Sequence, residues 1–148
     1  MKKIFSLLMV CLALIPACLF GACSKQEDAS AVKNKIYYVT KVYCKGEDIS
    51  KQYTDANMRI IFYDENFQVE VSNENDSKNY GYYIGTFTTD EMEIYFDVTE
   101  SGGVYEHYNE NPERKVSVFS TLRYSSKKLY AEFAYGGSIY SFTLEQKK

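Results

Sequence analysis

Met92-Glu93-Ile94-Tyr95-Phe96-Asp97-Val98 decides the fold of this chain. Met92, Ile94, Phe96 and Val98 fall at every second place, with Glu93 and Asp97 between them. A helix turning every 3.6 residues would scatter those four around its circumference, whereas a pleated strand puts them on one face. The segment is therefore a half-buried strand, with Glu93, Tyr95 and Asp97 toward water.

The same period of two runs outward in both directions. C-terminally, Val116, Val118, Ser120 and Leu122 form one set. Leu129, Ala131 and Phe133 form the next, and Tyr140, Phe142 and Leu144 the last. Ser125-Ser126 and Gly136-Gly137 supply turn chemistry between them. N-terminally, Tyr80, Tyr82 and Ile84 are read as inward, opposite Gly81 and Gly85. Phe67, Val69 and Val71 precede them, then Met58, Ile60 and Phe62. The opening strand places Ile36, Tyr38, Thr40, Val42 and Cys44 inward. Gly46-Glu47-Asp48 interrupts it, and Ile49 to Ala56 is a connector with room for one helical turn. Eight short strands joined mostly by hairpin-length turns predict an all-β domain over 35–148. The architecture expected is an eight-stranded, up-and-down antiparallel barrel, with a two-sheet sandwich as the alternative. The composition agrees, with 15 Tyr, 9 Phe, no Trp and 2 Pro.

The first 22 residues read differently. Met1-Lys2-Lys3 is followed by an apolar run, Ile4–Phe20, then by Gly21-Ala22-Cys23, after which the composition turns polar at Ser24-Lys25-Gln26-Glu27-Asp28. A basic start, an apolar middle and small residues at the cut describe a secretory signal peptide. The apolar run is short for a bilayer of roughly 30 Å and contains Pro16, so a permanent membrane helix is the weaker reading. Residues 23–34 are expected to form a flexible tether, with the acidic pair Glu27-Asp28 either a solvated part of it or an export tag.

Removing 1–22 takes Lys2 and Lys3, and no acid, from 17 basic and 20 acidic residues, so the remainder carries a balance of −5. An acidic domain has no electrostatic hold on nucleic acid or on anionic lipid. Of the four cysteines, Cys11 and Cys18 lie in the signal, Cys23 follows the cut and Cys44 is left alone, so the fold is not expected to rest on disulfides.

The Phe20-Gly21-Ala22-Cys23 stretch resembles a bacterial lipoprotein signal, with Phe20 standing where Leu is usual. The resemblance implies a diacylglyceryl group on Cys23, and two acyl chains suffice for stable anchoring where one does not. Cys18, after Ile15-Pro16-Ala17, is the rival acceptor. Further along, Gly46-Glu47-Asp48-Ile49-Ser50, the hairpin Ile60 to Phe67, the step Gly85-Thr86-Phe87 and the close Tyr140 to Glu145 are similar to the small lipocalin-like (calycin-type) domains of bacterial lipoproteins. The aromatic such domains carry near the first strand, often Trp, is here Tyr37 or Tyr38. That likeness implies a barrel with room for an interior ligand and no catalytic residue.

The chemistry-bearing residues do not assemble into an enzyme. His107, the only histidine, sits in Glu106-His107-Tyr108-Asn109-Glu110 with no converging ligands in sequence. Asn73 to Ser77 lacks the glycine and glutamate of a calcium loop. Cys44 reads as a buried, inert thiol. Neither a phosphate loop nor a nucleophile elbow is present, and no metal or cofactor is expected. The aromatic residues read as inward, Tyr38, Tyr82, Phe96, Phe133 and Tyr140, are the candidate ligand-binding set. Two functions follow as expectations for a monomer anchored outside the cytoplasm. One is a module holding a small, partly apolar molecule in the barrel. The other is an interaction or inhibitor protein with a filled core that acts through its loops on a protein partner.

Overall fold

The first and last strands of the domain are hydrogen-bonded to one another, and that pairing makes the fold a barrel. In the computed structural model, which describes residues 27–72, 80–103 and 119–147, β1 (Ile36–Cys44) runs antiparallel to β9 (Ser138–Glu145), from Tyr38 opposite Glu145 to Cys44 opposite Tyr140. Between them the sheet passes through β3 (Arg59–Phe62), β4 (Asn66–Val71), β5 (Gly81–Asp90), β6 (Glu93–Gly103), β7 (Thr121–Ser125) and β8 (Lys128–Tyr135), each pairing with the next. The result is a closed, eight-stranded, all-antiparallel up-and-down barrel. Closure removes the unpaired edges that a Tyr-rich sheet would otherwise offer to neighbours. One extra strand, β2 (Glu47–Asp48), folds back on the end of β1, and one short helix, α1 (Ser50–Asp55), follows it.

Tight turns set the hairpins. Both central residues have positive φ at Lys45-Gly46, Ser126-Lys127 and Gly136-Gly137, the twist that matches right-handed strands. The β7–β8 turn is thus Ser126-Lys127, one residue beyond the Ser125-Ser126 expected from sequence. Sequence reading saw Glu47-Asp48 only as an interruption, because a two-residue exposed strand carries no apolar signal.

Two bulges turn the barrel's corners. Val39 pairs with Leu144 and Lys41 with Thr143, leaving Thr40 as an extra residue, and its hydroxyl donates to the Thr143 carbonyl at 3.2 Å. Ile84 pairs with Glu100 and Gly85 with Val98, leaving Thr99 extra, and its hydroxyl donates to the Ile84 carbonyl at 3.2 Å. The first bulge overturns the expected phase of β1 from Ile36 to Thr40, while Val42 and Cys44 beyond it keep the expected inward phase. Tyr37 and Val39 are buried before it and Val42 after it, while Ile36 and Thr40 face water. In β5 the inward set is Gly81, Tyr83, Gly85 and Phe87, again opposite to the expected Tyr80, Tyr82 and Ile84. The remaining strands keep the expected phase: Ile60 and Phe62, Phe67 and Val69, Ile94, Leu122, Leu129 and Ala131, Phe142 and Leu144 are all buried. Ser120, expected inward, is instead exposed and Phe119 is buried in its place, because β7 begins only at Thr121. Val116 and Val118 lie outside the described residues.

The barrel has two unlike ends. At one, the β3–β4, β5–β6 and β7–β8 turns meet the start of β1. This closed end is plugged by a 3-10 turn, Ala29–Val32, whose Ala29 and Val32 are fully buried. Asp28 caps that turn, accepting from the Ser30 N–H at 2.8 Å, which holds its carboxyl below the ordinary range. The expected tether over 23–34 is therefore corrected from Glu27 onward, because Ala29 and Val32 gain more by entering the core than a free spacer would. At the opposite, or open, end, where no described residues form a plug like Ala29–Val32, lie α1, the Gly136-Gly137 turn, and the ends from which 73–79 and 104–118 leave the described structure. There α1 is tied to the strand beside it: Val42 N–H donates to Ser50 Oγ at 2.9 Å and Ile49 N–H to the Val42 carbonyl at 2.9 Å.

Candidate functional site

The five aromatic residues singled out from sequence do not come together. Tyr38 and Tyr82 belong to a row on the barrel's outer surface, in which Tyr38, Arg59, Glu70, Tyr82 and Gly102 are successive cross-strand partners. Arg59 and Glu70 form an ion pair at the centre of that row. Gln68 adds a donor to Glu70 at 2.9 Å, and Glu70 is only 6% exposed although it faces outward. The two tyrosines flank the pair. Tyr38 lies 6.0 Å from the Arg59 guanidinium and 4.2 Å from the Lys147 ammonium, while Tyr82 lies over Gly102 and donates to Glu100 at 2.8 Å. The bulge-driven phase of β1 and the inward glycines of β5 put them there, so neither is an interior ligand residue.

Phe96, Phe133 and Tyr140 do face inward, in two different places. Phe96 lies in the half of the barrel nearer the closed end, partly buried, stacked on Phe67 with centroids 3.6 Å apart and planes 4° from parallel. From this stack the rings continue both ways. Phe62 lies 6.0 Å from Phe96 and contacts Phe87 at 5.1 Å and Tyr37 at 6.0 Å. On the other side Phe119 lies 6.4 Å from Phe96 and 5.8 Å from Phe142, which meets Tyr53 of α1 at 5.2 Å. Most of these contacts are edge-on or tilted, the arrangements ring quadrupoles favour. Phe133 and Tyr140 are cross-strand partners at the open end, 6.4 Å apart and half-buried, with Cys44 opposite Tyr140 on the neighbouring strand.

Sequence reasoning missed the tyrosines that the interior does hold. Tyr37 is 1% exposed, and burial, with Tyr124 nearby, pushes its hydroxyl up to about 12. Burial, with Glu27 nearby, also raises Tyr124. Burial raises Tyr53, with Tyr140 and Cys44 adding to it. A correct phase for β1 would have found Tyr37; nothing in the sequence alone pointed to the bulge.

Two described grooves are open to solvent, both on the outer surface. One of about 370 Å³ lies across β7, β8, β9 and β1, with Ser141 and Thr143 low between Tyr43 and Tyr130 and with the Glu93–Arg123 pair (3.7 Å) at its side. The other, about 390 Å³, lies between Tyr38, the residues after α1 and the C-terminal Gln146-Lys147. Among the described residues no three or more His, Cys, Asp or Glu side chains are grouped to hold a metal ion. His107 and the Asn73–Ser77 stretch lie outside them. Cys44 is a free, half-buried thiol. No described helix is long and apolar enough to cross a membrane.

No family model, no curated protein and no solved structure matches this chain. The fold itself defines the class, a closed antiparallel up-and-down barrel compatible with a lipocalin-like architecture.

Proposed function

We propose that this chain is a lipid-anchored extracytoplasmic lipoprotein whose barrel is a non-catalytic binding module, acting on a protein partner through its open end. The observation that carries the choice of surface is the Phe67–Phe96 stack at 3.6 Å, the middle of a continuous set of ring contacts from Tyr37 to Tyr53. A barrel of eight strands is only just wide enough for side chains to fill, and here a continuous series of aromatic contacts runs through its interior. Recognition then falls to the surface, and the open end combines the half-buried Phe133–Tyr140 pair with exposed Tyr80 and Ile139. Aromatic and aliphatic groups of this kind, partly desolvated already, are the usual anchors of protein interfaces.

The small-ligand reading keeps one place. Phe133 and Tyr140, beside Tyr53 and Cys44, offer an apolar mouth that suits a short apolar group rather than a deeply held molecule.

The anchor is tested by labelling cells with radioactive palmitate: label enters the protein and is lost in Cys23→Ser but not in Cys18→Ser. Label that persists in Cys23→Ser removes the anchor. The surface is tested with a photo-crosslinking residue at position 80 or 139 in living cells. A discrete protein adduct is expected there, with none from position 65 at the closed end; no adduct from the open end overturns the reading. Saturable binding of an anilinonaphthalene-sulfonate probe, lost in Tyr140→Ala, would instead favour the apolar mouth.

A further inference from the structure

We infer that the barrel stands on its membrane by the closed end, at a fixed short distance, so that the open end is held away from the lipid. This rests on the Cys23 anchor proposed above. The chain between the anchor and the barrel is shorter than the sequence suggests, because the barrel captures it early. Both oxygens of the Glu27 carboxylate accept from the Ser126 N–H, at 2.8 and 2.6 Å, on the β7–β8 turn. Ala29 N–H donates to the Glu91 carbonyl at 2.7 Å, on the β5–β6 turn. Asn34 donates to Asp64 at 2.7 Å, beside the β3–β4 turn. Three closed-end turns are thus bonded to residues 27–34, and Ala29 and Val32 are fully buried beneath them.

Only Ser24, Lys25 and Gln26 separate Cys23 from Glu27. Four peptide units reach at most ~14 Å when fully extended. The closed end is therefore confined to that distance from the lipidated cysteine. The ten residues of β5 run roughly 33 Å along the strand, or about 25 Å in height once strands tilt as barrel closure demands. The open end, with Phe133, Tyr140 and Ile139, is displayed that much farther out.

Connectivity imposes this pose, and charge does not. The exposed closed-end side chains are mixed in sign, with Lys33 and Lys127 among Asp64, Glu65, Asp90 and Glu91. Such a surface gives anionic headgroups no net attraction, so the pose should not weaken as salt screens charges.

The test uses the full lipidated protein in phosphatidylcholine vesicles carrying a headgroup-linked energy acceptor. A donor dye is placed by Glu65→Cys at the closed end or Ile139→Cys at the open end, each with Cys44→Ser. Transfer from position 65 is expected to exceed that from 139 at least about threefold, given the roughly 25 Å difference in height. Raising the salt should leave the ratio unchanged. Inserting about twenty Gly-Ser residues after Gln26 should bring it toward one, because a flexible linker lets the barrel tumble. Equal transfer from the two positions in protein shown by mass to carry lipid on Cys23 overturns the pose and leaves the anchor standing. A ratio that collapses with salt overturns it in favour of charge-driven docking. Protein that carries no lipid overturns the anchor and this inference with it.

Discussion

Thr40 and Thr99 do the same job in the two bulges of the barrel: each is the extra residue, and each donates its hydroxyl to a carbonyl of the strand opposite at 3.2 Å. A bulge leaves the ladder locally unpaired, and a β-branched residue with a hydroxyl repairs it without leaving the strand. Thr40→Val and Thr99→Val keep the shape and remove the donor. Each is expected to lower stability by about 1 kcal/mol in urea melts, as loss of one such bond does. The two should add, since the bulges lie in different strand pairs. Serine at either place should recover most of the loss; if valine is as stable as threonine, the hydroxyls contribute nothing to the corners.

Gly85, beside the second bulge, marks a closer approach. A Cβ there would meet the Asp97 carbonyl oxygen at 1.9 Å, which is backbone and cannot swing aside. A Cβ on Gly102 would meet the Tyr82 ring at 2.5 Å, and a side chain can move. Gly85→Ala is therefore expected to cost about 3 kcal/mol or more, in the range of severe overpacking, and Gly102→Ala about 1 kcal/mol. The melting temperatures of the two variants check the order; a milder effect at Gly85 would contradict the close strand contact.

Phe96 links the two arms of the interior ring series, touching Phe67, Phe62 and Phe119. Phe96→Ala should cost about 3 kcal/mol, the lower end for a core ring because Phe96 is only partly buried, and leave an apolar void between Phe67, Phe62 and Phe119. Such voids stay dry and take up small apolar molecules. Benzene should raise the melting temperature of Phe96→Ala and leave the parent protein unchanged. Comparable stabilisation of the parent would mean that space already exists.

Most of the fold was legible because six of the eight barrel strands carry an unambiguous alternation, Met92 to Val98 being the cleanest. The two failures have physical causes. Ile36-Tyr37-Tyr38-Val39 is apolar in both phases, so nothing but the Thr40 bulge, a feature of pairing with β9, decides which half is buried. In β5 the inner face holds Gly81 and Gly85, the latter against the Asp97 carbonyl, so the outward Tyr80, Tyr82 and Ile84 looked the more apolar set. The candidate site suffered in proportion. Phe96, Phe133 and Tyr140 come from strands read in the right phase, while Tyr38 and Tyr82 come from the two that were not. The docking of Glu27 on Ser126 was invisible, since it joins residues 99 apart through a turn's backbone N–H.

Arg59 and Glu70 form the ion pair that lies between those outer tyrosines. Glu70 is nearly buried while Arg59 keeps 28% of its side chain exposed, so the pair is intermediate between surface and core. Removing one partner strands the other charge, and Arg59→Met alone should cost about 2–3 kcal/mol, below the full cost of breaking a buried pair. The double change Arg59→Met with Glu70→Leu should recover at least half of that, because an apolar pair beside Tyr38 needs no compensation. A double variant no better than the single in denaturant melts would show that the ion pair itself, rather than the avoidance of a stranded carboxylate, holds this face.

Tyr37 gives the domain an alkaline limit. In the unfolded chain its hydroxyl ionises near pH 10.0, whereas burial in the native barrel holds the proton to about 12. Below pH 10 both states are protonated, and the group's contribution is fully present. Between pH 10 and 12 the unfolded chain loses the proton and the native protein keeps it, so the unfolded state gains and stability falls as pH rises. The loss approaches on the order of 3 kcal/mol once pH is well past the native value. Tyr53 and Tyr124, both raised by burial, steepen the fall in the same direction. Urea melts across this range should show a stability that declines with pH, and Tyr37→Phe, which has no proton to lose, should flatten the decline by about one proton's worth of slope. An unchanged slope in Tyr37→Phe would mean that the hydroxyl reaches water in the native state, and with it that the inner phase of β1 is not the one described.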